Sequence, residues 1–284
     1  METDAQDITQ RLDLAVSAAR QAGNITLEYF RTDDLVVNLK QDDTPVTLAD
    51  HKAEEYLRKT IASAFPDDGI MGEEFAERKG TSGYRWILDP IDGTKSFIHG
   101  VPLYGTLIGV EYEGQCVLGV IRIPALDECL YAARGHGAWC FVGHNQPKPA
   151  RVSQRKPLAK ALFVTSEVIS FDKTGRRAVY DRLQSAARLT RTWGDCYGYL
   201  MVATGRADLM VDPVMAIWDA AALLPILEEA GGTFTDWKGR NTIYSSEGIA
   251  TNGLILSEVL EIVALPVLGA KHEKNGFQAD DNPA

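Results

Sequence analysis

An α+β fold of stacked sheet and helix layers is what this sequence predicts. Three observations carry the prediction. The chain opens with two long amphipathic stretches; residues 105–142 are β-branched runs joined by short turns; and from 161 onward short apolar runs alternate with helical periodicity.

Ile8, Leu12, Ala15, Ala19, Ala22, Thr26 and Tyr29 recur at three- and four-residue steps, which predicts a helix over 7–31. A second helix follows Asp50, with Ala53, Leu57, Ile61 and Ala64 on one stripe and Thr47 and Asp50 at capping-box spacing. The polar segment 37–50 between them, with Lys40, Asp42 and Asp43, predicts a connecting loop. GIMGEEF, from 69, is expected as an apolar turn ending in Glu73 and Glu74. Trp86-Ile87-Leu88 reads as a buried strand that ends in a corner at Asp89-Pro90-Ile91-Asp92-Gly93, because Pro cannot donate to a ladder and Gly permits a turn. TLIGVEYEG, CVLGVIRI and CLYAARGHGAWCFV predict an antiparallel meander, and the Pro-rich stretch 143–158 is the best internal boundary.

In the second half, 161–166 and 208–212 are expected strands and 175–187 and 195–204 helices. Residues 217–232 predict a helix that a glycine pair ends and Pro225 kinks or interrupts. GTFTD and IATNG predict strands, and LILSEVLEIV a last helix. Two parts are expected: 1–150, an α+β part, and 151–268, an α/β part. Residues 269–284 are expected to be a disordered tail.

At 284 residues and 45% hydrophobic content, a full core is possible, and no apolar run approaches the length of a membrane helix. The polar, acidic first residues predict neither a secretory signal nor a basic transit peptide, so a cytoplasmic protein is expected. Cys116, Cys129, Cys140 and Cys196 show no zinc-type spacing and are expected as reduced, buried side chains. A net charge of −10 disfavours nucleic acid and anionic membrane as partners. It also means that a phosphate could approach the acidic clusters only across a divalent cation.

Three segments deliver acids directly after apolar residues: Glu73 and Glu74; Asp89 and Asp92; and Asp219 after Ile217-Trp218. Each has an ordinary reading as well. Asp-Pro and Asp-Gly are turn dipeptides, Asp219 suits a helix N-cap, and Glu73-Glu74 suits a solvated turn. Burying a carboxylate without a partner costs several kcal/mol, and one metal serves several acids at once.

GEE, then W-x-x-DPIDGT, then WDAA…EEAGG resembles the inositol monophosphatase superfamily of Mg²⁺-dependent, lithium-sensitive phosphatases, over roughly residues 10–265. The resemblance implies a layered αβαβα sandwich, usually a homodimer, that holds two or three Mg²⁺ ions. By position, Glu73, Asp89, Asp92, Asp219 and the main-chain carbonyl of Ile91 would ligate metal. Gly93 and Thr94 would present N–H groups and a hydroxyl to phosphate. Thr47 and Asp50 would lie beside the site on the family's mobile loop, Lys40 would reach phosphate, and Glu73 with Thr94 would orient the attacking water.

The substrate is less sharply marked. Inositol-specific members usually read DGTTNF and nucleotide-type bisphosphatases often DGTKEF, whereas this chain reads DGTKSF. In WGDCYGYLMVATGRADLMVD, Asp195 replaces a neutral residue of the inositol enzymes and Asp212 replaces their Glu. An extra acid beside the substrate suits a cationic leaving group, and WGDCYGY with DGTKSFIHG is similar to the histidinol-phosphate phosphatase branch. Ser166 and Arg191 are further candidates for that pocket, and Asp195 also suits a helix cap. His99, a lone histidine near the motif, is expected to be structural.

The function expected on this resemblance is hydrolysis of L-histidinol phosphate to L-histidinol and phosphate by metal-activated water, in histidine biosynthesis. An inositol-1-phosphate phosphatase is the alternative, then a nucleotide-type bisphosphatase. A binding protein on the same fold is also weighed, since fold alone does not set function.

Overall fold

Small and apolar side chains make the first layer. In a computed structural model that describes residues 5–33, 35–40 and 44–266, Ile8, Ala15, Ala18, Ala19 and Ala22 of α1 (Ala5–Leu27) are buried beside Ala53, Leu57 and Ile61 of α2 (Leu48–Ala64). The helix ends four residues before the sequence predicts, and 28–31 continue as turn. A hairpin of β1 (Val37–Leu39) and β2 (Pro45–Thr47) lies between the helices. The expected capping box forms: Thr47 Oγ1 accepts from the Ala49 amide at 3.1 Å, and Asp50 Oδ2 accepts from the Thr47 amide at 2.8 Å.

Both helices pack on a seven-stranded sheet. Its strands, in spatial and chain order, are β3 (Gly69–Gly72), β4 (Tyr84–Asp92), β5 (Gly105–Tyr112), β6 (Gln115–Ile123), β7 (Glu128–Ala133), β8 (Gly137–Val142) and β9 (Lys148–Pro149). β3 and β4 are parallel and every other pair is antiparallel, so the expected meander is present from β5 to β8. GIMG, expected as a turn, is strand β3; four residues flanked by glycines are too few to display a strand's period. Helix α3 (Thr94–Ile98) follows β4 directly.

Alternation along these strands serves both faces. Trp86, Leu88, Ile108, Val110, Leu118 and Val120 meet α1 and α2, whereas Ile87, Leu107, Ile121 and Ile123 face the opposite way. Burial on both sides explains the continuous apolar runs.

The opposite face meets a middle helical layer and then a second sheet. In chain order this half holds β10 (Leu162–Val164), α4 (Val168–Lys173), α5 (Arg177–Ala186), β11 (Leu189–Arg191), α6 (Asp195–Ala203), β12 (Leu209–Asp212), α7 (Ile217–Ala220), α8 (Leu223–Glu229), β13 (Thr233–Thr235), β14 (Gly248–Thr251) and α9 (Leu256–Ala264). The sheet order is β11-β10-β12-β14-β13. Leu200, Ala220, Leu223 and Ile226, from α6, α7 and α8, fill the space between the sheets with Val164, Met210, Phe234 and Ala250. Phe163, Leu209, Val211 and Ile249 face outward onto Phe171, Val179, Leu183 and Val259. Five layers result, the αβαβα sandwich that the resemblance implies. Both sheets contribute to one middle core.

The break expected at Pro225 falls earlier, between α7 and α8. Pro225 then lies in the first turn of α8, where a missing N–H forfeits no helical bond. The break lets the Ala221-Ala222 backbone press onto the paired Gly109 and Gly119 of β5 and β6; a Cβ on Gly119 would overlap the Ala222 carbonyl oxygen. Gly119→Ala should therefore cost about 1–3 kcal/mol. The expected readout is a Tm roughly 5 °C lower; an unchanged Tm would show that the helical layer has room to retreat.

Cys116, Cys129 and Cys196 are buried and Cys140 is half-buried, all as free thiols. No helix among the described residues is long and apolar enough to cross a membrane. The predicted tail lies outside the described residues.

Candidate active site

Strand ends and one short helix bring the acids together. β4 does not stop at Asp89: its pairing with β5 shifts register between Asp89 and Asp92, around Pro90, and resumes at Asp92. Asp89 Oδ1 accepts from the Ile91 amide at 3.0 Å, and Thr106 Oγ1 donates to the Pro90 carbonyl at 2.9 Å. The bulge turns both acids toward the first turn of α7. There Asp219 is not the N-cap residue but lies three positions further on, accepting the Ala216 amide at 2.7 Å. One carboxylate oxygen from each of Asp89, Asp92 and Asp219 lies within 4.8 Å of the others.

This arrangement is electrostatically costly by itself. Burial, then repulsion from Glu73, Asp92 and Asp219, pushes the Asp89 carboxyl well up. Asp92 is raised by burial and by Asp195 and Asp219. Asp219 is pushed up to about 7 by burial and neighbouring acids, against the Ala216 amide. Closely spaced carboxylate oxygens that repel one another are a donor set for a hard divalent cation, so the residues fit a metal.

Glu73, at the end of β3, completes the acidic wall. Burial raises its carboxyl, although Lys40 Nζ donates to it at 2.6 Å and to Glu74 at 2.8 Å. Lys40 thus meets the carboxylates from the loop side. Thr47 and Asp50 are both buried, and Thr47 Oγ1 donates to Asp50 Oδ2 at 2.6 Å. Burial lifts Asp50 to about 6 despite these bonds, and Asp50 adds to the repulsion felt by Asp89.

Two supports were not read from the sequence. Glu54, fully buried, accepts the Glu74 amide at 2.8 Å and pairs with Arg58 at 2.6 Å, while Arg58 donates to the Phe75 and Ala76 carbonyls. The pair fixes the turn that carries Glu73. Its signal was available: an i,i+4 Glu–Arg pair beside the apolar stripe of α2. The other support is the Cys196 amide, which donates to Asp92 Oδ2.

Gly93 and Thr94 line a cleft of about 900 Å³ together with Lys40, Glu73, Asp92 and Asp219. Gly93 is left-handed, at φ 86°, and a Cβ there would come within 2.9 Å of Asp195 Oδ2. Thr94 Oγ1 donates to the Ile91 carbonyl at 3.1 Å.

Asp195, Ser166 and Asp212 form another wall of the same cleft, with Asp195 next to Gly93. Asp195 follows the Gly194 cap as the first residue of α6 and makes no side-chain capping bond, so the cap reading fails; its backbone is left-handed at φ 52°. Ser166 Oγ accepts its amide at 2.8 Å. Asp212 is spent in holding this wall. Its oxygens accept from Thr165 Oγ1 at 3.2 Å, the Ser166 amide at 3.0 Å, Ser166 Oγ at 2.9 Å and Tyr199 OH at 3.0 Å. Four donors fill a carboxylate's capacity, so Asp212 positions Ser166 instead of offering a free acid. Arg191 does not join the site: its exposed guanidinium donates to the Thr190 carbonyl and it is absent from the cleft wall. His99 is outside the cleft wall too, with Nδ1 2.8 Å from the Lys95 carbonyl.

The model of the inositol monophosphatase family matches residues 7–264. The chain belongs to the inositol monophosphatase family. It is 47% identical over 244 residues to a histidinol-phosphatase of Chlorobaculum parvum, covering 86% of this chain and 92% of the relative. A histidinol-phosphatase of Mycobacterium tuberculosis is 37% identical over 249 residues, covering 88% and 96%. Among solved structures, the extragenic suppressor protein suhB of Bartonella henselae superposes with a TM-score of 0.83 at 31% identity, covering 91% of this chain and all of that one. The chain is accordingly a phosphoric monoester hydrolase of this metal-dependent family, and its acid corner is a cluster that could hold a metal ion.

Proposed function

We propose that this protein is a Mg²⁺-dependent, Li⁺-sensitive phosphatase that hydrolyses L-histidinol phosphate to L-histidinol and phosphate. The reading places it in the cytoplasm, as a homodimer, in the closing steps of histidine biosynthesis. The observation that carries it is the position of Asp195. Its carboxylate lies against Gly93, at the phosphate end of the cleft, and among the described residues it makes no ion pair. Histidinol phosphate bears its ammonium on the carbon next to the esterified one, so an acid beside the phosphate corner meets that charge. Inositol phosphate offers hydroxyls alone. The names of the two histidinol-phosphatase relatives support the same substrate.

Glu73, Asp89, Asp92, Asp219 and the Ile91 carbonyl would hold the cations. A bound Mg²⁺ supplies Lewis-acid polarisation of the phosphoryl oxygens and acidifies a coordinated water. Lys40, which lines the cleft beside Glu73, would reach the phosphate from the loop side. The Gly93 and Thr94 amides, at the first turn of α3, lack intrahelical partners and face the phosphate. Thr94 Oγ1 with Glu73 orients the attacking water; Thr47 and Asp50 hold the loop side of the wall. Asp195 binds the departing amino alcohol, and Ser166 and Asp212 fix its place.

The test is phosphate release with Mg²⁺ from equal, subsaturating L-histidinol phosphate and inositol-1-phosphate. The wild type should prefer the first. Asp195→Ala should cut kcat/KM for histidinol phosphate by roughly tenfold more than for inositol phosphate, the size expected for one charge-assisted bond. Equal losses, or a wild-type preference for inositol phosphate, would sink the reading.

A further inference from the structure

One charged pair in the cleft has no part in this scheme. Lys95 Nζ donates to Glu167 Oε1 at 2.9 Å, and Glu167 Oε2 accepts the Ser170 hydroxyl at 2.9 Å. All three residues line the cleft. Lys95 stands in α3, two residues beyond Gly93, and Glu167 directly follows Ser166, which holds Asp195. The pair therefore joins the phosphate corner to the leaving-group wall. It is open to solvent, with Lys95 63% and Glu167 37% exposed, and such pairs contribute little to stability and exchange readily.

We infer that Lys95 is an internal competitor for the cationic leaving group: it occupies Glu167, and an amino-alcohol phosphate must displace it to gain a second carboxylate beside Asp195. The inference rests on the substrate reading above and extends it. Histidinol brings two nitrogen groups, an ammonium and an imidazole whose N–H donates whether or not the ring is charged. Asp212 is saturated by its four donors, so Asp195 and Glu167 are the two acids left for them. Lys95 and Glu167 both act on the Asp195 carboxyl, in opposite senses, as they would if the three share one field. Neither residue touches the reacting atoms; together they set specificity.

The measurement is the ratio of kcat/KM for L-histidinol phosphate to that for glycerol 2-phosphate, a neutral-alcohol ester, in the Mg²⁺-loaded enzyme. Lys95→Met should raise the ratio by roughly threefold, the worth of an exposed pair. Glu167→Gln should lower it by roughly tenfold. The double variant should match Glu167→Gln, because Lys95 has nothing to contest once the carboxylate is gone. Lys173→Met removes an equal charge near Glu167 and should leave the ratio within twofold, which separates contact from a general field. Single-variant ratios that stay at the wild-type value, or a double variant that falls midway between the singles, would overturn the inference. A wild-type ratio near one would overturn the substrate reading itself, before any variant is made.

Discussion

Asp89→Asn is expected to lower kcat by about three orders of magnitude and to raise the Tm of the metal-free protein. Asparagine keeps the shape of the side chain and an oxygen for the Ile91 amide, now 3.0 Å away, so the bulge of β4 should survive. What disappears is one negative charge at the centre of the acid corner. Charge stabilisation by a metal is worth several kcal/mol in the transition state, and each 1.36 kcal/mol is a factor of ten. The effect on stability has the opposite sign. Asp89 is 1% exposed and faces Glu73, Asp92 and Asp219, all of which resist its ionisation. Asparagine relieves that repulsion and can donate to those oxygens. Steady-state kinetics with Mg²⁺ and thermal melts in EDTA test both halves. Activity within tenfold of wild type, or a lower Tm in EDTA, would show that Asp89 is an ordinary turn residue.

The acid corner was legible because three separate segments break the same rule, placing carboxylates directly behind apolar residues. Periodicity made α2 and the meander from β5 to β8 legible, and the Thr47–Asp50 box marked where α2 starts. What escaped was geometry that no local pattern encodes. β3 is four residues long, and nothing in GIMG distinguishes a strand from a turn until β4 lies beside it. Pro225 looked like the break in 217–232, yet packing of Ala221-Ala222 on Gly109 and Gly119 decided where the helix parts. Arg191 and Asp212 were both read as pocket residues from their place in the chain; Asp212 does line the cleft, though not as a free acid, and Arg191 does not. The side chain of Arg191 turns away, and Asp212 spends its oxygens on Thr165, Ser166 and Tyr199. Which donors surround a carboxylate is a tertiary fact, since those of Asp212 come from the segment after β10 and from α6.

Without metal, the protein is expected to lose stability as pH rises through about 4 to 7, and saturating Mg²⁺ should remove most of that slope. Burial and neighbouring acids push Asp219 from 3.8 to about 7, and burial chiefly pushes Asp195 and Asp50 from 3.8 to about 6. Between these limits the folded chain binds more protons than the unfolded chain, so unfolding becomes easier as protons leave. The stabilisation is complete below pH 3.8 and is lost as each group ionises against its neighbours. Glu167 works the other way: burial is outweighed by the bonds from Lys95 and Ser170, and its carboxyl is lowered, so its contribution falls away only at acid pH. Between pH 5 and 8 the raised acids therefore dominate. A divalent cation replaces their mutual repulsion by attraction and binds the folded state alone, adding stability that grows with its concentration. Melts in EDTA should show Tm falling by roughly 5 °C between pH 5 and 8, equivalent to about 2 kcal/mol at this size. The curves with and without Mg²⁺ should diverge toward alkaline pH, because the cation has least to neutralise where protons already do so. A Tm in EDTA that rises over this window, or curves that stay parallel, would mean that the carboxylates of β4 and α7 do not confront one another in the metal-free fold.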